Sequence, residues 1–361
     1  MLGRESGYLP CMGLRIAMLA PPWIPIPPPA YGGVERVIEL LTEELLRRGH
    51  EVTLFAPPGT RSAARVRSVL AHPRPDDIQM SIFEADHVAA AFDGIEQGPP
   101  SGAPYDIVHD HSGFTAFAFA HRIATPLVQT LHGPFTKETR AFYRRHGHKA
   151  AAIAISRYQA GRAPRELRIV GVVANPVMAA DYPFVEKKSG SMLWVGRMND
   201  DKGPQRAIAA ARKAGVPLVL AGPVQPPQQE FFEAEVAPHL DDDGITYVGE
   251  VGGRRRLQLF SRAAALLMPI RWPEPFGLVM AEAMACGTPV IAFPQGAAPE
   301  VVDDGRTGFL VRDEEEMAAA IHRLGEIDPA ECRRRVEERY DVGPVAEGYE
   351  RAYRRRIELN P

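Results

Sequence analysis

LRIAMLA (residues 14–20), VERVIELLTEELLRRG (34–49) and HEVTLFA (50–56) follow one another near the start of the chain. The first and last are continuous apolar runs of strand length, and the middle one carries apolar positions at helical spacing. Gly49 stands where a glycine closing a helix is expected, so the unit predicts strand, loop, helix, strand. Two strands joined by a helix in this way lie parallel in one sheet, with a right-handed crossover.

Further apolar runs extend the pattern: YDIVH (105–109), PLVQTL (126–131), AAIAIS (151–156) and RIVGVV (168–173). ANPVMAADYPFVEKKSG (174–190) then has the proline and charge content of a connector. A second series begins with MLWVG (192–196) and continues through PLVLAG (217–222), ITYVG (245–249), AALLMP (264–269) and TPVIAF (288–293). Two such alternations predict an α/β protein of two doubly wound, Rossmann-like parallel-sheet domains. Their ligand would lie in the cleft at the carboxyl ends of the strands. The expected division is an acceptor-side domain over 1–178, a linker over 179–190 and a donor domain over 191–342. No period of 20 to 50 residues repeats, which argues against a solenoid.

A length of 361 residues fits two domains, each with its own core. Lys and Arg number 42 against 45 Asp and Glu, a formal charge of −3, so there is no overall electrostatic footprint for nucleic acid. Cys11, Cys286 and Cys332 are scattered, without a CxxC pair, and point to a reducing cytoplasm. The leader MLGRESGYLPCMG lacks a sustained apolar core, and no window reaches the roughly 18 apolar residues of a membrane span.

The most informative chemistry lies in RWPEPFGLVMAEAMACGTPVIAF (271–293). Pro273 and Pro275 stop any preceding regular structure, and a helix should start near Phe276 or Gly277 and close at Gly287. Amides at a helix start have no intrahelical partner, and Gly277 allows an anion to approach them. Glu274 and Glu282, eight positions apart, can bracket an elongated ligand, since carboxylates accept hydrogen bonds from sugar or ribose hydroxyls. Taken singly, each also reads as an ordinary loop or surface acid. MLWVGRMNDDKGPQRAI (192–208) adds Arg197 and Lys202, which either converge on a pyrophosphate or pair with Asp200 and Asp201.

The Glu274/Glu282 pair with Gly196-Arg197 and Lys202 ahead of it resembles the retaining glycosyltransferases of family 4, on the GT-B fold, over nearly the whole chain. The resemblance implies that Glu274 touches donor sugar hydroxyls, Glu282 the ribose, and Arg197 and Lys202 the diphosphate. It also implies donor contacts by the amides of Phe276, Gly277 and Leu278 and nucleobase contacts near Gly249 to Val251, while LAGP (220–223) ends a strand in the same cleft, so that Gly222 is expected to line the donor. Glu300 reads as structural. By position after its strand, His132 resembles the family's active-site histidine, so His132 and Glu274 are the expected catalytic residues. The last helix, within 343–361, is expected to cross back to the first domain. A nucleotide-diphosphate sugar would be the co-substrate, UDP favoured over GDP, with no cofactor required. One departure is Asn175-Pro176-Val177-Met178, where many relatives have Asn-Gly-Val-Asp. VHDHSG (108–113) and GEVGG (249–253) also resemble segments of a family member from antibiotic biosynthesis.

On the acceptor side, six prolines stiffen PPWIPIPPPAYGG (21–33), and Gly32 and Gly33 open the first helix so that a ligand can approach closely. The spacing of His109 and His111 in VHDHSG, with His132 in TLHGP, could suggest a metal site, but Asp110 alternates out of phase with them, no CxxC accompanies them and GT-B enzymes generally use no metal, so His109 and His111 read as supporting or acceptor-side groups. TKETRAFYRRHGHKA (136–150) gathers Arg140, Arg144, Arg145 and Lys149, which read as a solvated face or as a contact for an anionic membrane or acceptor. The expected partners are a nucleotide-sugar donor and a hydroxyl acceptor, whether glycan, lipid-linked or small molecule. The rival readings are a nucleotide-sugar epimerase of the same fold and a non-catalytic nucleotide-sugar binding protein. A dehydrogenase is disfavoured because neither first strand-to-helix loop carries the glycine fingerprint.

Overall fold

A computed structural model describes residues 13–29, 32–78, 80–99, 102–240 and 244–359. Cys11 and the leader before residue 13 lie outside them. The first sheet contains β1 (Arg15–Leu19), β2 (Glu51–Phe55), β3 (Arg65–Arg67), β4 (Ile107–Asp110), β5 (Leu127–Leu131), β6 (Ala151–Ala154) and β7 (Ile169–Val172). All pair in parallel in the order β3-β2-β1-β4-β5-β6-β7, with Ile16 opposite both Val52 and Ile107. The second sheet contains β8 (Met192–Val195), β9 (Leu218–Ala221), β10 (Ile245–Tyr247), β11 (Ala265–Met268), β12 (Val290–Ala292) and β13 (Gly308–Leu310). It is also wholly parallel, in the order β10-β9-β8-β11-β12-β13.

Helices cover both faces of each sheet, which is why the central strands read as unbroken apolar runs rather than alternating ones. Ile16, Ala17, Met18 and Leu19 of β1 are all fully buried, split between two hydrophobic clusters on opposite faces. The helix Gly33–Arg47 ends as expected, with Gly49 at φ 88° and its amide bonded to the Leu46 carbonyl. Sequence reasoning missed β3 and β13, edge strands of three residues each that are too short to make an apolar run.

The last helix, Val342–Glu358, packs against the first sheet, where Val345, Ala346, Tyr349, Ala352 and Tyr353 join the core that contains Ile16 and Val128. Arg48 contacts the Gly343 carbonyl at 2.9 Å, and His50 Nε2 lies 2.8 Å from Glu350. The chain therefore passes between domains twice, and the two passages are tied together. The Val177 amide donates to the Tyr340 carbonyl (2.7 Å), and the Ala179 amide donates to the Asp341 carboxylate (3.0 Å). The region of Asn175-Pro176-Val177-Met178 is thus one half of a paired crossing.

In both sheets the strand order reverses beside the first strand, between β1 and β4 and between β8 and β11. Loops leaving such neighbours diverge to opposite faces and open a crevice at the carboxyl ends. These crevices line one interdomain cleft, a cavity of about 1110 Å³.

Candidate active site

The second-domain wall begins where β8 ends. Arg197 is exposed to the cleft and has no carboxylate partner among the described residues, whereas Lys202 forms an ion pair with Glu274. The alternative pairing of both cations with Asp200 and Asp201 is not what the structure shows: Asp200 is 2.9 Å from Arg206. The Glu274 carboxylate also accepts from the Trp272 indole N–H at 2.8 Å, and the Lys202 ammonium lies 4.6 Å from the Trp272 ring centroid. Lys202, Trp272 and Glu274 form one compact cluster in the cleft.

Gly277 caps the helix Leu278–Ala285 at φ 82°, a left-handed conformation that costs glycine nothing. A Cβ there would come within 2.6 Å of the Met280 methyl. Gly277 and Leu278 line the cleft, while the Phe276 ring is buried 5.6 Å from that of Tyr340. Gly222 lines it after β9, and a Cβ at that position would strike the Gly196 carbonyl oxygen at 1.8 Å. Val251 reaches the cleft. Gly249 does not, and instead accepts from the Gly222 amide at 2.8 Å.

Glu282 differs from its sequence reading in its surroundings. It is buried outside the cleft lining, bonded to Arg256 at 2.6 Å and to the Tyr182 hydroxyl at 3.0 Å. Arg256 faces the cleft in its place. Sequence reasoning missed Arg256, although GRRRL directly follows the segment expected to hold the base. It also missed Trp272 and Glu35.

Gly32, Gly33 and Glu35 bring the amino end of the helix Gly33–Arg47 to the cleft from the first domain. Its unpaired amides and dipole favour an anion there. Burial raises the Glu35 pKa. His132 and His111 also line the cleft, with His111 Nδ1 and His132 Nε2 2.8 Å apart and the rings stacked at 5.1 Å. Burial pushes His132 down to about 4 and His111 well below its ordinary value, so both are neutral at pH 7.

His109 is not at the cleft. It is fully buried, with Nε2 2.7 Å from the Thr130 hydroxyl and Nδ1 2.7 Å from the Tyr353 hydroxyl of the last helix. Arg144 and Arg145 are exposed on the helix Lys137–His146 and do not line the cleft either. Among the described residues, no group of three or more His, Cys, Asp or Glu side chains is placed to hold a metal ion. No helix of the described residues is long and apolar enough to cross a membrane.

Residues 31–177 match the family model for Glycosyltransferase Family 4, and residues 189–326 match that for Glycosyl transferases group 1. The chain belongs to the family 4 glycosyltransferases. This glycosyltransferase is 27% identical to the glycogen synthase of Mycobacterium tuberculosis, an alignment covering 90% of the chain and 88% of that protein. It is likewise 27% identical to AviGT4, a glycosyltransferase involved in avilamycin A biosynthesis, with a TM-score of 0.70 over 96% of this chain and 98% of that one. The GT-B architecture of the glycosyltransferase is also that of Anabaena Alr3699/HepE, solved in complex with UDP and glucose. That match has 19% identity and a TM-score of 0.68, and covers 93% of this chain and 98% of that one.

Proposed function

We propose that this glycosyltransferase moves a hexose from a UDP-sugar to an acceptor hydroxyl with retention of anomeric configuration. The observation that carries the reading is the convergence of Arg197, the Lys202–Glu274–Trp272 cluster and two helix amino ends on one cleft. A nucleoside diphosphate gains negative charge as its bond to the sugar breaks. Cations and amides fixed in advance stabilise that charge more in the transition state than in the ground state. The UDP complex of the Anabaena protein supports UDP as the nucleotide.

In this reading Arg197, Lys202 and the amides of 276–278 hold the diphosphate, opposite Gly32 and Gly33. Glu274 accepts from donor sugar hydroxyls, and Lys202 shifts from its carboxylate towards phosphate when the donor binds. Neutral His132 lies over the sugar from the first domain, hydrogen-bonded to His111. The acceptor hydroxyl attacks on the face from which the diphosphate leaves, and the departing phosphate oxygen takes its proton. Glu282 orients Arg256 beside the ribose. Residues 1–178 with 343–361 close on 191–342 about the connector 179–190 and exclude water, because hydrolysis competes with transfer. The buried free thiols Cys286 and Cys332 fit a reducing cytoplasm, with the exposed arginines of Lys137–His146 available to an anionic membrane face.

Proton NMR of the first-formed product tests the stereochemistry: retention is expected, and inversion overturns it. A thermal-shift panel of UDP, GDP and ADP should show selective stabilisation by UDP.

A further inference from the structure

The two walls of the cleft differ in charge. Arg197, Lys202 and Arg256 all belong to the second domain, and among the described residues no lysine or arginine of the first domain lines the cleft. The ionisable groups on the first-domain wall are Glu35, His111, His132 and Tyr143. Burial lowers both histidines, so none of the four is cationic at neutral pH.

What that wall presents is largely apolar: Trp23, Ile24, Ile78, Phe114, Phe135 and Tyr143. Ile78 is 49% exposed and Phe114 40%, and Met80 (50%) and Ile82 (64%) follow Ile78 along the chain. Four of the seven large apolar side chains that stand exposed among the described residues therefore fall at 78–82 and 114. Exposed apolar area costs about 25 cal/mol per Å², and the exposure of Ile78 and Phe114 in the lining of the cleft marks a ligand surface. The Phe114 ring is braced by Phe142 and Tyr143, with centroids 5.1 and 5.8 Å away, so the surface is preformed.

The basic helix does not supply the missing charge. Arg140 lines a separate crevice of about 160 Å³ with Arg162, partitioned from the cleft by Pro134 and Phe135, which line both. Apart from the helix amino end at Gly32 and Gly33, which faces the donor diphosphate in this reading, the first-domain wall offers no cationic donor to the phosphate or carboxylate of an acceptor.

We propose that the acceptor is an uncharged molecule whose reacting hydroxyl is carried on an aromatic or aliphatic body seated against Trp23, Ile78 and Phe114. This rests on the transfer reading above, with the acceptor on the first-domain side. Ser112, Thr136 and Thr139 along the same wall are neutral partners for its hydroxyls.

Calorimetry on the full chain tests the proposal with four probes: methyl, phenyl and octyl β-D-glucopyranoside, and glucose 6-phosphate, each titrated with and without UDP. The phenyl or octyl glycoside should bind about tenfold tighter than the methyl glycoside, and glucose 6-phosphate no tighter than the methyl glycoside. A preference for phenyl identifies an aromatic aglycone, and a preference for octyl identifies an aliphatic chain. Phe114→Ser should abolish the preference, and Ile78→Lys should weaken the neutral probes while raising glucose 6-phosphate affinity. Equal binding of the three glycosides, no binding by either apolar glycoside, or glucose 6-phosphate binding tightest overturns the proposal. Failure of UDP to bind would count against the donor reading alone, because the acceptor titrations without UDP stand independently.

Discussion

Glu274 is restrained at both ends, its carboxylate by Lys202 and Trp272 and its main chain by Gly296. Gly296 has φ 61°, and a Cβ there would lie 2.2 Å from the Glu274 carbonyl oxygen. Gly296→Ala should therefore displace Glu274 and lower kcat at least about tenfold with a smaller change in UDP affinity, read by steady-state kinetics beside a UDP titration. Glu274→Ala should likewise reduce turnover more than nucleotide affinity; an unchanged rate would remove Glu274 from the chemistry. Glu274 and Glu282 stood out together in the sequence because both lie in one continuous stretch, yet only Glu274 lines the cleft. Gly296 and Arg256 did not, because contacts between separate segments leave no spacing to read. The buried histidines make a pH prediction. Burial lowers His87 to about 4 and His109 to about 3. A histidine depressed by folding contributes stability that is complete above the unfolded value of 6.5 and is lost as pH falls through the folded one. Unfolding free energy should thus fall between pH 6.5 and about 4, with a slope approaching about 1.4 kcal/mol per pH unit for each such ring. Asp110, raised to about 6 by burial, has the opposite sign: its contribution is full below 3.8 and lost as pH rises through about 6. Urea titrations at pH 7 and 5 check the balance, and His87→Gln should flatten the slope.

At the scale of elements, the connector is pinned rather than slack. The Lys188 ammonium donates to the Ser261 carbonyl (3.1 Å), the Cys286 carbonyl (2.8 Å) and the Thr288 hydroxyl (2.9 Å). The two carbonyls end the helices Gly253–Arg262 and Leu278–Ala285, whose last carbonyls lack intrahelical partners. Lys188→Met should cost about 1–3 kcal/mol in urea unfolding, with UDP binding weakened because both helices border the donor site. Glu300, read from sequence as structural, spans the domains: its carboxylate accepts from the Arg157 amide (2.8 Å) and the Tyr158 amide (2.5 Å). Glu300→Ala should loosen closure, increasing the radius of gyration in solution scattering and raising donor hydrolysis relative to transfer. Each long apolar run of the sequence became a strand, since strands buried on both faces leave uninterrupted hydrophobic stretches. The observed strands stop one or two residues inside many of those runs, as at AAIAIS against Ala151–Ala154, because burial continues past the last ladder hydrogen bond.

At the scale of the molecule, the last helix is part of the first domain's core, and Tyr353 and Tyr349 reach His109 and Thr130 from it. Ending the chain at residue 341 should expose that core and remove the first domain's cooperative unfolding transition while leaving the second sheet's cluster intact, as differential scanning calorimetry would show. The doubly wound architecture was legible from alternating runs, but the depth of this packing was not, because the tail contacts strands far away in sequence. The same arrangement sets an order of events on the ribosome. Synthesis proceeds from the amino end, yet the half of the protein made first lacks an inner layer until residues near the end emerge. The second domain contains its own hydrophobic cluster and can mature earlier, so the chain finishes its beginning last.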